Sequence, residues 1–103
     1  MKSYKVELSL EANRDLDAIF DYILLHNSQA AYEMLNKIFS SLEQLSHFPE
    51  LGAEVRGLEL STYQFRMLVI KPYLAFYRIF DNKVYVYRVL HASQDYISIF
   101  TSN

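Results

Sequence analysis

The sequence predicts an α+β fold: one strand, a helical hairpin and a three-stranded meander, in the order β-α-α-β-β-β. Three observations carry this. A short run near the N-terminus alternates apolar and polar residues, the period of a half-buried strand. The next two segments repeat apolar residues at steps of three and four, the period of an amphipathic helix. Three runs rich in β-branched and aromatic residues follow, divided by turn signals. Elements arriving in blocks indicate α+β, with the helical hairpin covering one face of a small antiparallel sheet of about four strands. Residues 1–103 read as one domain with a short C-terminal tail or helix.

In the first strand, Tyr4, Val6 and Leu8 alternate with Ser3, Lys5, Glu7 and Ser9. Ser9 suits a helix N-cap, and Glu11 in the first turn suits the helix dipole. The first helix is expected over Leu10 to His26, with Ala12, Leu16, Ile19, Phe20 and Ile23 on one face. Asp15, Asp17 and Asp21 lie off that face, and with Glu33 they read as solvated. Ser28 is the expected cap of a second helix over Gln29 to Ser46, striped by Ala31, Leu35, Ile38, Leu42 and Leu45. A short connection makes neighbouring helices antiparallel. Pro49 then excludes further helix, because the residue before a proline is pushed out of the helical region. "PELGAEVRGLEL" reads as a loop holding both glycines.

The three strands are expected over Thr62 to Ile70, Tyr73 to Phe80 and Lys83 to His91. Lys71 and Pro72 form the first turn. Asp81 and Asn82 form the second, since both residue types tolerate the positive φ of a two-residue hairpin. With that loop, Phe80 opposes Lys83 and Tyr73 opposes Leu90. One sheet face then carries Tyr73, Ala75, Tyr77, Ile79, Val84, Val86, Arg88 and Leu90, the expected core side. The other carries Leu74, Phe76, Arg78, Phe80, Lys83, Tyr85, Tyr87, Val89 and His91. No second helix layer is expected over this mixed face, which makes it a partner surface.

Composition removes several functions. Hydrophobic residues make up 51% of the chain, enough for a packed core and against disorder. The absence of cysteine excludes disulfides and thiolate zinc sites and suits a reducing cytoplasm. His26, His47 and His91 lack metal-ligand spacing, so neither metal nor cofactor is expected. The N-terminus lacks the apolar core of a signal peptide. No window approaches the roughly 18 apolar residues of a membrane span. A net charge of −2 argues against direct DNA binding by the chain alone, because neutralised phosphates supply most such affinity.

Three constellations invite chemistry. His91, Ser93 and Asp95 are the residue types of a hydrolase triad, but steps of two along a strand align side chains rather than converge them. Local hydrogen bonds at a strand exit account for the same residues. Arg66, Arg78 and Arg88 sit one on each meander strand. Arginines on a sheet can grip phosphate or carboxylate, or each can pair with a local carboxylate, Arg88 with Asp95 for example. The opposite faces of Arg78 and Arg88 weigh against one shared clamp. Phe76, Phe80, Tyr85 and Tyr87, interleaved with basic residues, can stack bases or receive a segment of another protein. The net charge favours the protein.

These residues resemble the RelE/ParE superfamily of bacterial type II toxin–antitoxin toxins. The resemblance runs along nearly the whole chain. Its parts are Ala12, Asp15 and Leu16; Tyr22 and Ile23; "FPELG" ending at Gly52; Arg66; "FYRI" from Phe76; and "RVLHASQD" ending at Asp95. The resemblance implies a small cytoplasmic toxin held inactive by a cognate antitoxin. RelE-like members cleave mRNA on the ribosome with basic residues on the middle strand and after the last one, often with a C-terminal Tyr. Such groups stabilise charge on the phosphate under attack. ParE-like members inhibit DNA gyrase without that set. Here Leu74 occupies the middle-strand position, and "ASQDY" after the last strand carries no Lys or Arg. Arg66 and Tyr96 alone would remain for a nuclease. The resemblance therefore implies a ParE-like, non-enzymatic toxin of a plasmid-stabilisation module, with DNA gyrase as target and the ribosome with its mRNA as the alternative. It implies an antitoxin or target surface of Arg66, Phe76, Arg78, Phe80, Tyr85, Tyr87 and His91, with Arg88 and Asp95 as structural polar residues.

Overall fold

A computed structural model describes residues 3–56 and 64–101. The elements are β1 (Lys5–Leu8), α1 (Leu10–Leu24), α2 (Ser28–Glu43) with a 3-10 turn over Gln44–Ser46, β2 (Ala53–Glu54), β3 (Arg66–Ile70), β4 (Tyr73–Phe80), β5 (Lys83–His91) and α3 (Tyr96–Thr101). The expected order holds. The expected start of β3 at Thr62, and the second glycine of the preceding loop, Gly57, lie outside the described residues.

The sheet differs from the expectation. It has five strands in the order β1-β5-β4-β3-β2. β2 adds a two-residue strand antiparallel to β3. β1 joins β5 in parallel, Val6 beside Val84 and Leu8 beside Val86. A parallel neighbour requires a crossover, and the helical hairpin is part of that crossover. Alternation in β1 shows only which side chains are buried, not the direction of the neighbouring strand.

Ser9 caps α1 as expected, its Oγ accepting from the Ala12 amide at 2.9 Å and donating to the Tyr87 carbonyl at 2.8 Å. Asn27, not Ser28, caps α2; its Oδ1 accepts from the Ala30 amide at 3.0 Å. Asn and Ser cap equally well, so the sequence alone could not place the boundary to one residue. Ala12, Leu16, Ile38, Leu42 and Leu45 pack with Tyr73, Ala75, Tyr77, Val84 and Val86 into the main core between helices and sheet.

Asp81 and Asn82 have φ of 51° and 64° and turn the β4–β5 hairpin. Phe80 opposes Lys83 and Tyr77 opposes Val86, as expected. Between Phe76 and Tyr77 the register slips by one residue. Such a bulge sends every later side chain to the opposite face. Val89 therefore joins the main core, and Leu90 packs on the other side.

That other side is not open. Val55, Phe65, Leu74, Phe76 and Leu90 form a second cluster, against which Tyr96, Ile97, Ile99 and Phe100 pack. Phe76 is wholly buried, its ring 5.0 Å from that of Tyr96 and 5.1 Å from that of Phe100. The expectation of an uncovered aromatic face failed because a six-residue helix, too short for a periodicity signal, supplies the cover.

Asp95 starts this helix. Its carboxylate accepts from the Ser98 hydroxyl at 2.8 Å and the Ser98 amide at 3.2 Å. These bonds hold the Asp95 carboxyl below its ordinary value. A depressed folded pKa contributes stability above the unfolded value, lost as the pH falls through the folded one. As pH drops below about 4, the ring NMR signals of Tyr96 and Phe100 should move toward free-amino-acid positions before β4 loses its structure. Asp95→Asn should flatten this dependence. Signals that move only with global unfolding would rule out the carboxylate as the cap that matters.

Candidate functional site

The three meander arginines go to three separate places. Arg66, at the start of β3, reaches back to the loop after α2. Its Nη1 donates to the Gly52 carbonyl at 2.7 Å and, at 3.4 Å, to that of Glu50. Its Nη2 lies 3.5 Å from the exposed Glu50 carboxylate. The same loop is held by Tyr77, whose hydroxyl donates to the Pro49 carbonyl at 2.6 Å and accepts from the Gly52 amide at 2.8 Å. Burial pushes the Tyr77 phenol above its ordinary value, so it remains a donor.

Arg88 sits just past the bulge, opposite Phe76, which puts it on the same sheet face as Arg78 and not on the opposite one as expected; its side chain still reaches Asp15 on α1. Its Nε and Nη2 donate to the two oxygens of Asp15 at 2.8 and 2.9 Å, and the Val89 amide donates to Asp15 Oδ2 at 2.9 Å. The Asp15 hydrogen bonds raise the Arg88 pKa and outweigh burial, which lowers it. Two expectations change here: Asp15 is not a solvated carboxylate, and Arg88 pairs with it rather than with Asp95. Arg78 stays near the β4–β5 turn, its guanidinium 5.9 Å from the Phe80 ring centroid.

His91, Ser93 and Asp95 do not form a triad. His91 Nδ1 lies 2.7 Å from Ser93 Oγ, while Asp95 is taken up by Ser98. Phe80 is exposed, and Tyr85 and Tyr87 are half-buried with ring centroids 4.7 Å apart. Leu74 is buried in the cluster beneath α3. Among the described residues no group of three His, Cys, Asp or Glu is placed to hold a metal. No described helix is long and apolar enough to cross a membrane.

Two features were invisible in the sequence. One is the outer edge of β1, which among the described residues pairs with no further strand and meets the Ser46 carbonyl through the Tyr4 amide just before the strand. Lys5 N donates to the Asn82 carbonyl and Ser9 N to the Val86 carbonyl, so the amides and carbonyls of Val6 and Leu8 face away from β5. Beside this edge a groove of about 360 Å³ is lined by Val6, Leu8, Phe39, Leu42, Glu43 and Ser46, with Phe39 46% exposed. Phe39, off the α2 stripe, was the available signal.

The other is a cavity of about 520 Å³ between α1 and the end of β5, bounded by Asp15, Tyr22, Tyr73, Arg88, His91 and Gln94. Burial, with the nearby Tyr22 phenol, pushes the Tyr73 phenol above its ordinary value. Of these six, the sequence marked only Arg88 and His91 as polar structural or binding residues, because the cavity draws on residues far apart in the chain.

Residues 6–96 match the family model described as the ParE toxin of the type II toxin–antitoxin system parDE. The chain is 32% identical over 81 residues to Toxin RelE2 of Caulobacter vibrioides, covering 78% of this chain and 85% of that protein. A chain of the chromosomal ParDE toxin–antitoxin system from P. aeruginosa superposes with a TM-score of 0.72 at 22% identity, over 86% of this chain and 96% of that one. A chain of the RelBE2 toxin–antitoxin complex from Mycobacterium tuberculosis superposes with a TM-score of 0.66 at 24% identity, over 91% and 97%.

Proposed function

The chain belongs to the ParE toxin family of type II toxin–antitoxin systems, and we propose that it acts in the cytoplasm as a non-enzymatic toxin of a plasmid-stabilisation module, inhibiting DNA gyrase until a cognate antitoxin neutralises it. One observation supports binding over catalysis: the arginines do not converge. Cleavage of mRNA by its own 2′-hydroxyl needs several cations around one phosphate. Here Arg66 holds the Gly52 loop, Arg88 is matched by Asp15, and Arg78 stays at the hairpin. The face carrying Leu74 is filled by Tyr96 and Phe100 rather than left open for a nucleotide.

Antitoxin binding has its own support. An outer strand edge beside an apolar groove suits an extended segment that pairs with Val6 and Leu8 and sets apolar side chains against Phe39 and Leu42. Phe80, Tyr85, Tyr87, Arg78 and His91 remain reachable from solvent for antitoxin or target. Phe76 is not, in this arrangement.

The second reading, a ribosome-dependent mRNA endoribonuclease, draws on the similarity to Toxin RelE2; Arg66 and Tyr96 would serve it. The deciding experiment follows supercoiling of a reporter plasmid and mRNA integrity after induction. Relaxed plasmid with intact mRNA is the expected result, together with gyrase inhibition by the purified protein. Early mRNA cleavage with supercoiling unchanged would establish the nuclease reading. No growth arrest would leave an inactive, antitoxin-binding member.

A further inference from the structure

The cavity between α1 and the end of β5 presents an unusual set of hydrogen-bonding groups. Two local bonds orient them. The His91 amide donates to Gln94 Oε1 at 2.9 Å, which turns the Gln94 Nε2 donors outward. The Ser93 amide donates to His91 Nδ1 at 3.1 Å, so the neutral ring carries its proton on Nε2. Arg88 gives Nε and Nη2 to Asp15, leaving Nη1. Asp15, the one carboxylate lining the cavity among the described residues, already accepts three hydrogen bonds.

Among the described residues, no hydrogen bond engages Arg88 Nη1, Gln94 Nε2, His91 Nε2 or the hydroxyls of Tyr22 and Tyr73. The first three can only donate, and the phenols donate readily. The Tyr73 and His91 rings meet edge to face at 5.5 Å, so these groups stand on a packed aromatic wall. An excess of donors calls for an acceptor. Because Arg88 is neutralised by Asp15, the site has no spare cation for a polyphosphate, whose binding rests on cation excess.

We propose that this cavity binds the carboxylate of an aspartyl or glutamyl side chain in the cognate antitoxin. The identity of the partner rests on the toxin reading; the preference for a carboxylate rests on the cavity alone. The carboxylate accepts from Arg88, Gln94 and the phenols, and the aromatic wall receives the apolar residue beside it.

The test titrates the isotope-labelled full chain with N-acetyl-Asp-Phe-amide and follows backbone amide NMR signals. Val89, Ser93 and Gln94 should shift together with a Kd of roughly 1 mM. N-acetyl-Asn-Phe-amide should bind about fivefold more weakly or worse, the difference a charged acceptor makes. Gln94→Ala, at an exposed position, and Tyr73→Phe should each weaken the acidic peptide about threefold or more. The inference is overturned by shifts scattered elsewhere, by equal binding of the two peptides, by no response at about 20 mM, or by tighter binding of inorganic phosphate or an RNA oligonucleotide. Absence of growth arrest in cells would defeat the toxin reading and leave this titration unchanged. A silent titration would leave growth arrest standing.

Discussion

Gly52→Ala should destabilise the protein by about 3 kcal/mol, at the upper end of the usual range for one added methyl group. A Cβ at this position would lie 2.8 Å from both Cε1 and Oη of Tyr77 and 2.9 Å from the Met67 carbonyl oxygen. Neither neighbour can yield cheaply. Tyr77 is wholly buried, and its hydroxyl is fixed by Pro49 and Gly52 itself. The Met67 carbonyl belongs to the β2–β3 pairing. Moving the loop away breaks the Tyr77 bonds and the Arg66 bond to the Gly52 carbonyl together, and each stranded buried group costs about 1–3 kcal/mol. At this chain length, 3 kcal/mol lowers Tm by roughly 15 °C, readable by calorimetry. Glu50→Ala, which removes only an exposed carboxylate beside Arg66, should change stability by less than about 0.5 kcal/mol. A Gly52→Ala loss below about 1 kcal/mol would show that the loop can move aside and would refute the close packing of Gly52 on Tyr77 and Met67.

Arg88→Ala should cost about 2 kcal/mol, somewhat below the range for breaking a fully buried pair. The Arg88 and Asp15 side chains keep 28% and 14% of their surface exposed, so solvent screens part of the interaction. The variant leaves the Asp15 carboxylate with the Val89 amide as its remaining partner. Tm should fall by roughly 10 °C. The double variant Arg88→Met with Asp15→Asn removes both charges while keeping an acceptor for the Val89 amide. It should recover more than half of the loss, because replacing both partners of an ion pair is far milder than removing one. Equal losses in the single and double variants would mean that packing of the Arg88 side chain, not charge, accounts for the effect.

These two positions show what the sequence could and could not disclose. Gly52 and Arg88 both stand in segments that carry the family resemblance, "FPELG" and "RVLHASQD". Neither segment reveals its partner. Gly52 meets Tyr77 across 25 positions and Arg88 meets Asp15 across 73. Asp95 was legible as a polar structural residue, but its partner proved to be Ser98 rather than Arg88. The aromatic cluster was legible as a group; its division between exposed Phe80 and buried Phe76 was not.

By itself the chain determined its element order, both amphipathic helices, the Ser9 cap and the Asp81–Asn82 turn. Each depends on forces acting within a few residues: side-chain periodicity, a cap reaching the next turn, a tolerated positive φ. The tertiary structure alone decided the parallel placement of β1, the one-residue slip that moves Val89 into the core, the cover supplied by α3, and the dispersal of the three arginines. Each of these depends on which distant segments compete for the same face of the sheet. That competition is settled by burial and hydrogen-bond satisfaction over the whole fold, and no local pattern records it.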